Sequence, residues 1–166
     1  MPNDSMTVGE AREWLAERAR DGVSCPACDQ FVKIYKRSIS SAVAAAFVDF
    51  YRITRDNPKE WVHVPSFLVG RHGTGAMGGD FAKLRFWGLI EADESEQVKD
   101  ADKKSSGFWR ITELGERFAL GEVAVPKYVH LYDGRQTAID CTEMMTITDA
   151  LTNKFSYSEL MGVEHD

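Results

Sequence analysis

Residues 79–121 read GDFAKLRFWGLIEADESEQVKDADKKSSGFWRITELGERFALG, and this stretch decides the fold. Phe81, Leu84 and Trp87 give a helix an apolar side, and Gly88 stops it just ahead of the short hydrophobic run Leu89-Ile90. A long polar excursion runs from Glu91 to Ser106. The chain then returns through Phe108-Trp109-Arg110-Ile111 into a second short helix. Thr112 suits the N-cap of that helix, because its hydroxyl can accept a free backbone donor. The predicted order is helix, strand, long loop, strand, helix.

Working back toward the N-terminus, Ser38 to about Thr54 is predicted as a long helix. Ile39, Val43, Phe47 and Phe50 form its apolar stripe, and Ala42, Ala44, Ala45 and Ala46 allow a neighbour to come close. Asn57-Pro58 breaks the chain. Trp61-Val62-His63-Val64 is a short strand, and Pro65 opens a helical turn through Leu68 and Val69. His63 reads as a structural histidine. Residues 70–79 (GRHGTGAMGG) form the turn before the helix at 79–87. A literal G-x-G-x-x-G lies there at Gly73, Gly75 and Gly78. It lacks the preceding strand, the parallel partner strand and the well-placed acid that a dinucleotide site needs, so a tight inter-helix turn is expected instead.

Trp109-Arg110-Ile111-Thr112-Glu113-Leu114-Gly115-Glu116-Arg117-Phe118 resembles the strand-to-helix step after the wing in winged-helix regulators of the MarR and PadR type. In those proteins an x-L-T-x-x-G pattern opens the post-wing helix. Together with Gly88-Leu89-Ile90, the resemblance covers roughly residues 40–121 and is specific for fold, not for ligand. A wider pattern joins C-P-x-C, Tyr35-Lys36-Arg37, the run from Lys83 to Glu91, Trp109-Arg110-Ile111-Thr112 and Val125-Pro126-Lys127. It is similar to small uncharacterised proteins of actinobacterial phages, which implies a phage or prophage origin and carries no activity with it. The expected fold is α+β: a winged helix-turn-helix core with an N-terminal helix, a C-x-x-C knuckle and a C-terminal β-hairpin plus short helices. The expected divisions are 1–37, 38–121 and 122–166.

In the first division, Thr7-Val8-Gly9-Glu10 has the spacing of a capping box. Val8, Ala11, Leu15 and Ala19 recur at helical spacing, so a helix is predicted over about 7–20. Cys25-Pro26-Ala27-Cys28 precedes a predicted strand at 30–35. Two thiolates at this spacing can grip one zinc ion. A closed site needs four ligands, which leaves Cys141, His63, His72, His130, His165 or a second chain to complete it; a plain reduced turn is the alternative. In the last division, 123–132 and 137–141 flank Asp133-Gly134, a hairpin signal. Short helices are expected at 149–153 and 156–161. Residues 137–166 carry six acids against Lys154 alone.

The 166 residues include 43% hydrophobic and 28% charged residues, as in an ordinary globular chain. No apolar run is long enough for a membrane span and the polar N-terminus is no signal peptide, so a cytoplasmic protein with no membrane partner is expected. Charge is segregated. Between Lys33 and Trp87 nine basic residues face four acidic ones, a net +5, which leaves −11 for the rest of a chain of net −6. One face is thus suited to an anionic partner. No H-E-x-x-H, G-x-S-x-G or Walker A pattern is present, and the function expected is non-enzymatic DNA binding of the transcriptional-regulator kind. Lys83 and Arg85 on the 79–87 helix would meet bases or phosphates, while Arg71, Lys36, Arg37 and Arg55 would supply backbone charge. Lys103 and Lys104 would contact phosphate from the far end of the wing. The wing as a whole is acidic, six acids against three lysines over 91–106, as is the tail. The alternative is therefore a protein-interaction module that binds a host or phage protein, with homodimerisation open in either case.

Overall fold

The computed structural model describes residues 5–74, 77–93, 107–132 and 135–162, with only the backbone at 135 and 137–140. The chain is α+β and divides into two units, Met1–Arg37 with Tyr128–Asp140, and Ser38–Lys127 with Cys141–Asp166.

In the first unit, the Thr7–Glu10 capping box closes in both directions. The Glu10 amide donates to Thr7 Oγ1 at 3.2 Å, and the Thr7 amide donates to Glu10 Oε2 at 2.8 Å. Helix α1 (Val8–Arg18) follows. The region predicted as one strand over 30–35 is two short pieces. β1 (Val23–Ser24) pairs antiparallel with β2 (Phe31–Val32), and β3 (Tyr35–Arg37) joins β7 (Val125–Tyr132) and β8 (Arg135–Met145) in a sheet of order β3-β7-β8. The interruption falls where the Ile34 amide turns to donate to the Ala19 carbonyl at 2.8 Å, tying the strand to the end of α1. Strands β7 (Val125–Tyr132) and β8 (Arg135–Met145) contribute residues to both units; the expected Asp133-Gly134 turn between them lies outside the described residues.

The second unit is built on α2 (Ser41–Thr54), N-capped by Ser40. Its burial extends well past the expected stripe, for Val43, Ala44, Ala45, Ala46, Phe47, Val48 and Phe50 are all buried. A helix that is apolar nearly all round needs neighbours on several sides. β4 (Val62–His63), α3 (Val64–His72) and α4 (Gly78–Ala82) come next. Lys83–Trp87 is a 3₁₀ helix, followed by β5 (Ile90–Ala92), β6 (Phe108–Ile111) and α5 (Glu113–Ala119). The three strands form an antiparallel sheet of order β4-β6-β5, in which Trp109 lies opposite Val62 and Ile111 opposite Ile90. Thr112 is the N-cap of α5, accepting from the Gly115 amide at 3.0 Å.

The single helix expected over 79–87 is thus two five-residue pieces. The physical reason is the spacing of its buried residues. Phe81, Leu84 and Trp87 recur every three residues, the period at which a 3₁₀ helix stacks side chains on one side. After Trp87 the chain turns at Gly88, whose φ of +76° is open to glycine at little cost.

The tail closes onto α2 and α5. Helix α6 (Ile147–Leu151) has a capping box from Thr146 and Asp149 and buries Ile147, Ala150 and Leu151. Arg52 Nη1 donates to the Leu160 carbonyl at 2.8 Å, and the Tyr157 hydroxyl donates to the Ala119 carbonyl at 2.7 Å, which anchors α7 (Tyr157–Leu160). Among the described residues, no helix is long and apolar enough to cross a membrane.

Packing is tight at Gly115, where a Cβ would lie 2.1 Å from the Leu89 carbonyl oxygen and 2.8 Å from Ile111 Cγ1. Gly115→Ala must push α5 off the β5–β6 strand pair, and we expect a loss of about 3 kcal/mol of stability in urea unfolding.

Candidate nucleic-acid interface

Three aromatic rings fix the helices that carry the candidate site. Phe50 of α2 meets Phe67 of α3 at 5.5 Å and Phe81 of α4 at 5.3 Å between centroids, both edge-on. Helix α3 ends in left-handed Gly73, and the chain re-enters a helix at Gly78. With Phe81, Leu84 and Trp87 turned inward, Gly79, Asp80 and Arg85 are exposed and Lys83 is half-buried. Trp87 also locks the far end, its Nε1 donating to the Pro126 carbonyl at 2.7 Å.

The cations on this element are engaged. Lys83 Nζ donates to Asp80 Oδ1 at 2.8 Å. The Arg85 guanidinium lies 4.7 Å from the Phe86 ring centroid and 6.0 Å from that of Trp109, which extends the side chain across aromatic surface. Arg71, at the end of α3, forms a two-pronged pair with Asp49 of α2, Nε to Oδ2 at 2.8 Å and Nη2 to Oδ1 at 2.9 Å. His72 Nε2 also reaches Asp49 Oδ2, at 3.1 Å. Burial alone would raise the Asp49 carboxyl, but the hydrogen bonds and charge of Arg71, aided by His72, hold it below the usual carboxylate range. Arg71 therefore fastens α3 to α2.

Of the remaining basic residues expected at the interface, Arg55 is exposed at the C-cap of α2. Lys103 and Lys104 lie outside the described residues. Lys36 and Arg37 belong to the first unit, on β3, where Lys36 Nζ sits 4.1 Å from the Tyr128 ring centroid and the Arg37 guanidinium 5.2 Å from that of Tyr35. Lys83 and Arg85 share one short element, whereas Lys36 and Arg37 form part of a separate aromatic and basic strand surface.

The Cys25–Cys28 turn joins β1 to β2. The Cys25 amide donates to the Gln30 carbonyl at 2.8 Å, the Asp29 amide to the Cys25 carbonyl at 2.9 Å, and Asp29 takes a left-handed φ of +63°. The Ala27 amide points at Cys25 Sγ, at 3.4 Å. Backbone donation from Ala27, then from Cys28, lowers the Cys25 thiol pKa from its ordinary value. Both thiols are free. Among the described residues, no third Cys, His, Asp or Glu joins them in a metal-binding group. His63 Nδ1 is paired with Ser66 Oγ at 2.6 Å, His72 is paired with Asp49, and Cys141 is exposed on β8. His165 lies outside the described residues.

Sequence reasoning did not single out the pairing of Arg110 with Glu91, nor the position of the Arg110 guanidinium 4.2 Å from the Trp61 ring centroid. Cross-strand register brings these groups together, since Glu91 lies opposite Arg110. Comparison with family models, curated proteins and solved structures yields no match.

Because the Asp49 pKa is depressed in the folded state, its contribution to stability is present above the unfolded carboxylate pKa and is lost as pH falls through the folded one. We expect thermal stability to fall below about pH 4. Arg71→Gln should flatten that acid limb and cost up to about 1 kcal/mol at neutral pH, the pair being partly exposed to solvent. Melting curves of both proteins between pH 3 and 7 check this.

Proposed function

We propose that residues 38–121 form a winged helix-turn-helix domain and that the protein binds duplex DNA without catalysing a reaction on it. The domain assignment is supported by the element order α2, β4, α3, α4, β5, β6, α5, combined with the strand order β4-β6-β5. This lets β5 and β6 act as the two arms of a wing. The functional reading rests on one observation: α4 and its 3₁₀ continuation bury one side and present Asp80, Lys83 and Arg85 on the other.

In this reading the α4 segment enters the major groove. Arg85 is the first contact, donating to guanine O6 and N7 or to phosphate. Lys83 neutralises Asp80, which would otherwise be repelled by the phosphates. When Lys83 turns to a phosphate, Asp80 is left to accept from a cytosine amine. Arg55 adds backbone charge.

A second reading, a protein-interaction module, is favoured by the commitment of Arg71 to Asp49, which withdraws one cation from an already small set. One titration separates the two. The full chain should bind a mixed-sequence duplex with affinity that falls steeply with log salt, and Lys83→Ala with Arg85→Ala should weaken binding at least tenfold and reduce the salt slope by about 2. Undiminished binding by the double variant would remove α4 from the interface. No duplex binding at about 50 mM salt, where screening is weak, would favour the protein partner.

We also propose that Cys25 and Cys28 supply two ligands of a zinc site, the hairpin geometry and the amide aimed at Cys25 Sγ being its support. Elemental analysis of protein purified without chelator should find about one zinc per chain, or one per two chains if two copies share the ion. Metal content unchanged in Cys25→Ser with Cys28→Ser, or absent in the native chain, would refute it.

A further inference from the structure

We propose that the first unit carries a binding surface for single-stranded nucleic acid, formed by Phe31, Lys33, Tyr35 and Arg37 with Tyr132. The inference is independent of the duplex-binding reading and uses none of its residues in the second unit.

The surface spans two short strands, β2 and β3, with Lys33 and Ile34 between them. Phe31, Lys33, Tyr35, Lys36 and Arg37 are all exposed, whereas Val32 is buried and Ile34 half-buried. The result is aromatic, cation, aromatic, then two cations. Three large rings stay in solvent here: Phe31 at 61%, Tyr35 at 47% and Tyr132 at 42% of full exposure. Gln30, Phe31, Lys33, Tyr35 and Tyr132 line one open hollow of about 230 Å³, and none of the five is acidic.

The groups are held in place. Phe31 rests on Gly22, where an added Cβ would come within 2.6 Å of the ring. The Lys33 ammonium and the Arg37 guanidinium stand 5.8 and 5.2 Å from the Tyr35 ring centroid. Both stand over the Tyr35 ring, and neither has an ion pair among the described residues, so each keeps its charge available.

Exposed rings interleaved with cations match a ligand that offers flat apolar faces along an anionic backbone. Single-stranded nucleic acid offers both, with bases stacking on rings and phosphates meeting Lys33 and Arg37. A duplex hides its base faces within its own stack. An acidic peptide answers the charge and leaves the rings uncovered. Since every base has a face to stack, little sequence preference is expected.

The test uses the full chain and a fluorescein-labelled 20-nucleotide oligo-dT, followed by anisotropy from about 50 mM salt upward. We expect binding that weakens with salt. Phe31→Ala with Tyr35→Ala should lose at least tenfold in affinity, whereas Tyr35→Phe, which keeps the ring, should bind as the native chain does. Lys33→Ala with Arg37→Ala should lower the salt slope. Lys83→Ala with Arg85→Ala should bind oligo-dT normally, which keeps a failure of this surface distinct from a failure of α4. Absence of oligo-dT binding by the native chain, or unchanged binding by both the ring and the cation variants, would overturn the proposal. So would displacement of oligo-dT by poly-glutamate as effective as by unlabelled oligo-dT, since charge alone would then account for binding. Circular dichroism of each variant confirms the fold, and should the ring pair not fold, Tyr35→Ala alone takes its place, with the same loss expected and unchanged binding counting against the proposal.

Discussion

Phe50 is the residue on which the second unit depends. It is wholly buried on α2 and meets Phe67 and Phe81 edge-on, while those two rings stand 6.2 Å apart. Three helices are therefore pinned at one point, and the geometry of an edge-on contact limits how each can rotate against the others. The inward face of α4 follows from this. Once Phe81 is committed to Phe50, the three-residue spacing brings Leu84 and Trp87 in behind it, and the chain tightens to a 3₁₀ helix to keep them aligned. Asp80 and Arg85 are outward because Phe81 and Leu84 are inward.

The charge of this unit is organised to hold helices as well as to meet a partner. Arg71 offers α2 a two-pronged hydrogen bond, and its carboxylate acceptor is shielded enough for that pair to matter. Arg52 turns to the Leu160 carbonyl and secures α7. Arginines that look equivalent along the sequence thus divide between internal fastening and the surface. Only a register or a packing partner, not residue type, tells which is which.

That division marks how far the sequence could be read. Local signals were legible wherever the cause is local. The Thr7–Glu10 capping box, the Thr112 cap, the halt at Gly88 and the positions of α2 and α5 all follow from neighbouring residues. The 3₁₀ step was hidden because Phe81, Leu84 and Trp87 are apolar at a spacing that an α-helix also tolerates across one turn. The helix opened by Pro65 extends to His72, further than Leu68 and Val69 suggested, because Phe67 is drawn into the Phe50 cluster. Of the candidate site, the side presented by Lys83 and Arg85 could be read from spacing, whereas the partners of Lys83 and Arg71 could not. Asp49 precedes Arg71 by 22 residues, and nothing in either segment announces the pair.

The surface on the first unit teaches the converse. Its signal was local all along, in the alternation Phe31, Lys33, Tyr35, Arg37, yet a strand pattern normally assigns exposed rings to a buried face. Burial of Val32 and half-burial of Ile34 show which aliphatic residues turn inward, while the rings and cations stay out on two short strands that pair in different sheets. Leaving three aromatic rings in water forgoes hydrophobic stabilisation that burial would have supplied. Gly22 lies beneath Phe31, and a Cβ there would displace the ring. Phe31 rests against Gly22, and Tyr35 carries the Lys33 and Arg37 cations, so part of the arrangement exists before any ligand arrives.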